Sequence, residues 1–166
     1  MKKIVLFLIV LVAAACGSVK PTTCSVQPTF YKYRYVYIMP TGTVTGSTPV
    51  HSSADRSYVS GGVTRTTNPA DMMSGYLMQK GFVVLPQLDQ NKLEETLVLS
   101  YGETGHGSAG FLWLYTTTSI IIQFRDAKTN DLIASAEAED WGSTEADNVR
   151  YALRGALDAI FAAPRY

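Results

Sequence analysis

The chain has 166 residues, 14 Lys and Arg balanced by 14 Asp and Glu, and 46% hydrophobic residues, with 10 tyrosines and 2 cysteines. That length suits one compact domain. Near-neutral charge argues against a nucleic-acid binder, which needs a basic field to neutralise phosphates, and two cysteines are too few for a disulfide-rich scaffold or a zinc site of their own.

The chain opens Met1-Lys2-Lys3, runs through apolar residues from Ile4, and reaches Ala13-Ala14-Ala15-Cys16. A basic start, a short apolar stretch and small residues describe a secretory signal. The run is too short for a bilayer-crossing helix, which needs about 20 residues. Cleavage after Ala15 fits general signal peptidase. It also resembles the lipobox of bacterial lipoproteins, in which the cysteine is diacylated and becomes the new N-terminus. Ala13 departs from that pattern, where a larger aliphatic residue is commoner. The position of Cys16 directly after the cut favours the lipoprotein reading, and several acyl chains give a lasting anchor. The resemblance implies an outer-membrane lipoprotein facing the periplasm, because no acidic run follows Cys16. If Cys16 is acylated, Cys24 stands alone; if not, the two can pair in an oxidising compartment.

The expected organisation is a signal peptide over 1–15, a lipidated cysteine and flexible tether over 16–30, and a single α/β domain over 31–166. The tether reading rests on Pro21, Pro28 and a shortage of large apolar groups. Tyr33 to Met39 alternates tyrosines with Arg34, Val36 and Ile38 and reads as the first strand. The Gly-, Ser- and Thr-rich stretch from Thr41 to Thr67 is long for a structureless loop, and Tyr58 to Arg65 suggests a hairpin turning on Gly61-Gly62. Asn68 as cap, Pro69 and Asp71 start a helix with an apolar stripe of Met72, Met73, Tyr76 and Leu77, stopped at Gly81.

Phe82 to Leu85 reads as a short buried strand and Leu93 to Tyr101 as another. Gly102, Gly105, Gly107 and Gly110 suggest a mobile connection to a long strand from Phe111 to Asp126. The turn Asp126 to Asp131 leads into a return strand, Leu132 to Trp141. A helix from about Thr144 to Phe161 closes the chain. Thr144 with Asp147 imitates a capping box, and Val149, Ala152, Leu153, Ala156, Leu157 and Ile160 form its buried stripe. Asp147, Arg150, Arg154 and Asp158 fall on the expected wet side. The expected fold is α+β in two layers: a mixed sheet of four to five strands with two helices packed on one face.

The stretches "LEETLVLSY" and "TTTSIIIQFRDAKTNDLIASAEAEDWG", followed by the closing helix, resemble small bacterial cell-envelope lipoproteins of largely unknown function. A similar layout occurs in the N-terminal domain of TolB and in periplasmic assembly lipoproteins. The resemblance implies an envelope role and no reaction.

Side-chain parity places Tyr33, Tyr35 and Tyr37 away from the helices. The same parity adds Phe111, Trp113, Tyr115, Ile121 and Gln123 from the long strand, then Ile133, Ser135, Glu137, Glu139 and Trp141 from the last. The candidate interaction face is therefore Tyr33, Tyr35, Tyr37, Trp113, Tyr115 and Trp141, suited to a protein surface or a glycan. The competing reading is that residues 41–67 fold over these rings as a second small core. His51 and His106, the only histidines, fall in expected loops, and no His, Cys and carboxylate spacing suggests a metal site. "GHGSAG" matches neither a P-loop nor a nucleophile elbow. Glu137, Glu139 and Asp140 read as solvated charge, and the nearness of His51, Ser52, Ser53 and Asp55 is no triad. No cofactor or catalytic residue is expected. The expected partners are the membrane, through Cys16, and another envelope protein or a glycan such as peptidoglycan.

Overall fold

A computed structural model describes residues 22–48, 63–109, 115–142 and 144–163, with only the backbone considered at 46–48, 63–65, 108–109 and 115. The strands are β1 (Thr23–Val26), β2 (Tyr35–Ile38), β3 (Val44–Thr48), β4 (Val63–Thr67), β5 (Val83–Leu85), β6 (Thr96–Ala109), β7 (Tyr115–Asp126) and β8 (Leu132–Gly142). The helices are α1 (Pro69–Gln79) and α2 (Glu145–Ala162). Six strands form one mixed sheet in the order β1-β8-β7-β6-β2-β5, and β3 pairs with β4 alone. The sheet thus has one more strand than the four to five the sequence suggested, because the segment read as a tether supplies β1 at one edge.

Both helices start as their residues dictate. The Asn68 side chain accepts from the Ala70 N–H at 3.0 Å with Pro69 next, and the chain leaves α1 through Gly81 at φ 92, a left-handed value that glycine tolerates without a Cβ penalty. Thr144 accepts from the Asp147 N–H at 3.1 Å, and its hydroxyl donates to the Asp147 carboxylate at 3.0 Å. Thr144 thus caps as expected, while the Asp147 carboxylate answers at the Thr144 hydroxyl, where a capping box would use the backbone N–H. Asp147, however, is buried rather than on the wet side, because its carboxylate is used in that cap.

The helices cover one face of the sheet. Val36, Leu97, Leu99, Ile120, Ile122, Phe124, Ala134, Ala136 and Ala138 point into the core with Met73 and Leu77 of α1 and the apolar stripe of α2. Three adjacent alanines on β8 let α2 lie close, and its Gly155 sits over Ala138.

Residues 23–30 do not behave as a tether. β1 pairs antiparallel with β8, from Thr23 opposite Glu137 to Val26 opposite Ala134. A 3₁₀ turn over Pro28–Lys32 then drives Phe30 into the core with no exposure. Its ring meets Tyr31, Phe124 and Phe161 nearly edge-on at 5.2–5.6 Å, the geometry that aromatic quadrupoles favour.

Other boundaries also moved. Val63–Thr67 pairs with Val44–Thr48, and the hairpin turn expected on Gly61-Gly62 falls within residues 49–62, which lie outside the described residues. β5 is a half-exposed edge strand parallel to β2, not a buried one. Gly102 to Ala109 continue β6 rather than forming a loop. Glycine is usually depleted in strands, but a Cβ on Gly107 would sit 2.5 Å from the Thr117 hydroxyl of β7. The missing side chain is what allows that pairing.

Candidate functional site

The face away from the helices carries alternate residues of every strand: Tyr35 and Tyr37 on β2, Val98 and Ser100 on β6, Ile121 and Gln123 on β7, Ser135 and Glu137 on β8. All of these are part-exposed. The described parts of the 41–67 stretch lie elsewhere: β3 and β4 pack on α2, where the Arg150 guanidinium donates to the Thr67 hydroxyl at 3.3 Å. They do not cover the tyrosines.

The rings chosen from sequence do not converge. Tyr33 is buried at 5% exposure, because the 3₁₀ turn breaks the alternation before β2 begins. Tyr37 is level with Val98, Arg125 and Leu132 across the sheet, whereas Trp141 lies roughly 30 Å farther along β8 at the usual rise of a strand. Trp141 is half-exposed. Trp113 lies outside the described residues, and Tyr115 is known only as the backbone partner of Ala109. Cys16 is also outside them, and Cys24 is an exposed thiol on β1.

Tyr35 sits beside cations, with the Lys92 ammonium 5.1 Å and the Arg34 guanidinium 5.6 Å from its ring centre. It borders a cleft of about 400 Å³ lined also by Asn91, Glu94 and Lys128. The Tyr33 hydroxyl donates to the Asp126 carboxylate at 2.5 Å. Burial, that hydrogen bond and the charge of Asp126 push the phenol well above its ordinary range. For Asp126 burial acts upward, but hydrogen bonds from Tyr33 and from the Thr129 and Lys128 N–H groups outweigh it and hold the carboxyl below its usual value.

The far end of the sheet is narrower, since β2 reaches only to Leu99 and β1 only to Glu137. Two groups of polar residues lie there on opposite faces. On the face away from the helices, Glu137 and Glu139 line a cleft of about 270 Å³ with Ser119 and Thr104, which His106 also borders, and Thr104 donates to Glu137 at 3.0 Å. On the helix side, Glu103, His106 and Glu145 present one ligand atom each, all within 4.8 Å of one another. His106 Nε2 is 3.3 Å from the Glu103 carboxylate. The Tyr101 hydroxyl donates to Glu103 at 2.7 Å. Burial, followed by Glu103 and the more distant charge of Glu145, raises the Tyr101 phenol far above its ordinary range.

Sequence reading missed the second group for two reasons. It placed His106 in a loop, and a regular strand would send Glu103 and His106 to opposite faces. A β-bulge at Thr104 restores them to one side, and Glu145 arrives from a different element.

No protein-family model matches the chain, and no curated protein matches it in sequence. Among solved structures it is similar to the PelC dodecamer from Paraburkholderia phytofirmans in two crystal forms. A single-substitution variant of that protein aligns with TM-score 0.48 and 10% identity, over 86% of this chain and 97% of that one. The other form aligns with TM-score 0.46 and 11% identity, over 86% and 94%. Both likenesses are distant.

Proposed function

We propose that this is an exported lipoprotein, anchored at Cys16 to the periplasmic side of the outer membrane, that binds another envelope protein and catalyses no reaction. The observation that carries the reading is the one-sided sheet. The helices and the described parts of β3 and β4 lie on one side, while Tyr35, Tyr37, Val98 and Ile121 stay part-exposed on the other. Tyrosines with flanking aliphatic and polar groups give contact area at low entropic cost, as protein-binding surfaces do. The short lead into β1 supports an anchored role, since the chain from Cys16 to Thr23 spans at most roughly 25 Å when fully extended. The body then stays close to the bilayer, and its partner is membrane-bound or membrane-adjacent. Among the described residues no helix is long and apolar enough to cross a membrane.

Intact mass of the protein purified from membranes tests the anchor: loss of residues 1–15 with added acyl mass is expected, and an unprocessed chain or a Cys16–Cys24 disulfide refutes it. For the face, Tyr37→Ser with Ile121→Ser should abolish co-purification of the partner from detergent extracts while leaving the melting temperature nearly unchanged. Retained capture by a folded variant would move the binding surface elsewhere.

A further inference from the structure

The Glu103, His106 and Glu145 group has the makings of a metal site independent of the tyrosine-bearing face. We propose that these three side chains bind a first-row divalent cation, zinc by donor chemistry, which ties the distal half of β6 to the first turn of α2.

The donor set is one imidazole nitrogen and two carboxylates, which suits zinc and its neighbours better than calcium or magnesium, whose sites are built from oxygen. Ligands about 2.0–2.1 Å from a tetrahedral zinc lie about 3.4 Å apart. His106 Nε2 and Glu103 already stand 3.3 Å apart, and all three donor atoms fall within 4.8 Å of one another. The donor atoms, all three on exposed side chains, therefore need to close by at most about 1.4 Å to reach that geometry. Three protein ligands leave a fourth position for water, and two carboxylates offset the ion's charge.

The surroundings hold the donors in place. The bulge at Thr104 is what puts Glu103 and His106 on one side of β6, and bulges re-aim side chains at functional sites. The buried Thr118 hydroxyl of β7 lies 3.4 Å from His106 Nδ1. A partner at Nδ1 leaves Nε2 for the ion, as metal-binding histidines commonly arrange. Tyr101 fixes one oxygen of Glu103, and Glu145 sits at the positive end of the α2 dipole. Without an ion the same groups are a surface pairing of a histidine with two carboxylates, which contributes little to stability.

The test is calorimetric titration of the untagged, chelator-stripped full protein with zinc chloride, carrying Cys24→Ser to remove the one thiol among the described residues. One equivalent should bind, with a rise in melting temperature. His106→Ala, Glu103→Gln and Glu145→Gln, all at exposed positions, should each weaken binding at least tenfold, as even outer-shell losses do. Thr118→Val, which keeps the buried volume, should weaken it about tenfold. His51→Ala, at the only other histidine, should leave it unchanged. Absence of binding at millimolar zinc overturns the proposal. So does binding that survives all three ligand substitutions or depends on His51.

Discussion

Asp126 shows how much one side chain can organise. Its carboxylate closes the turn by accepting from the Lys128 and Thr129 N–H groups at 2.7 and 2.9 Å. It also accepts from Tyr33, 93 residues away. Because its folded pKa is depressed, the stability it contributes is present above the ordinary carboxylate pKa, about 4, and is lost as pH falls through the folded value. Asp126→Asn should therefore cost about 2 kcal/mol at pH 7, and the gap from the parent protein should narrow in acid. Urea unfolding at neutral pH and near pH 3 checks both. The turn itself was legible, since Asp at the start of "DAKTND" is local chemistry. The Tyr33 partner was not, because a contact across 93 residues leaves no trace in local spacing.

Among the elements, the helices were read almost residue by residue. Caps, a first-turn proline and a 3.6-residue stripe are all local signals. The strands were read less well. β1 hides in the polar segment "TCSV", and its pairing with β8 is set by tertiary contacts. The second half of β6 hides in a glycine run, in which Gly107 lies close against Thr117. The parity of β7 and of the three β8 alanines was legible, as Ile120, Ile122, Phe124, Ala134, Ala136 and Ala138 all face the helices. Ile133, read onto the open face, is instead buried in the core where the β7–β8 register shifts beside it. A single bulge at Thr104 was enough to conceal the Glu103 and His106 pair. The contrast between local and tertiary terms is measurable: Thr144→Ala should cost about 1 kcal/mol, the usual value of a cap. Phe30→Ala, in the segment that looked like a tether, should cost about 3–5 kcal/mol as a large core deletion. Comparable losses in the two variants on chemical denaturation would show that Phe30 is not the hub its ring contacts indicate.

At the scale of the molecule, the sheet manages its borders by keeping them short. β5 is three residues long and followed by Pro86, and β1 is four. Short edges offer little template for another chain. The order β1-β8-β7-β6-β2-β5 also sets what can fold alone. A fragment ending at Asp131 lacks β8 and α2, and so lacks the partner of β1 and most of the helical cover of β7. It should show no cooperative thermal transition by circular dichroism, and a sharp melt would mean that the N-terminal part is a unit in itself. The pairing of Thr23 with Glu137 has a consequence for biogenesis. The earliest strand synthesised waits for the latest, and contacts so distant in sequence form slowly. On the export route proposed above, a chain that enters a translocation pore from its N-terminus would stay slack and pliable until β8 emerges, and would lock shut only once its tail has cleared the channel.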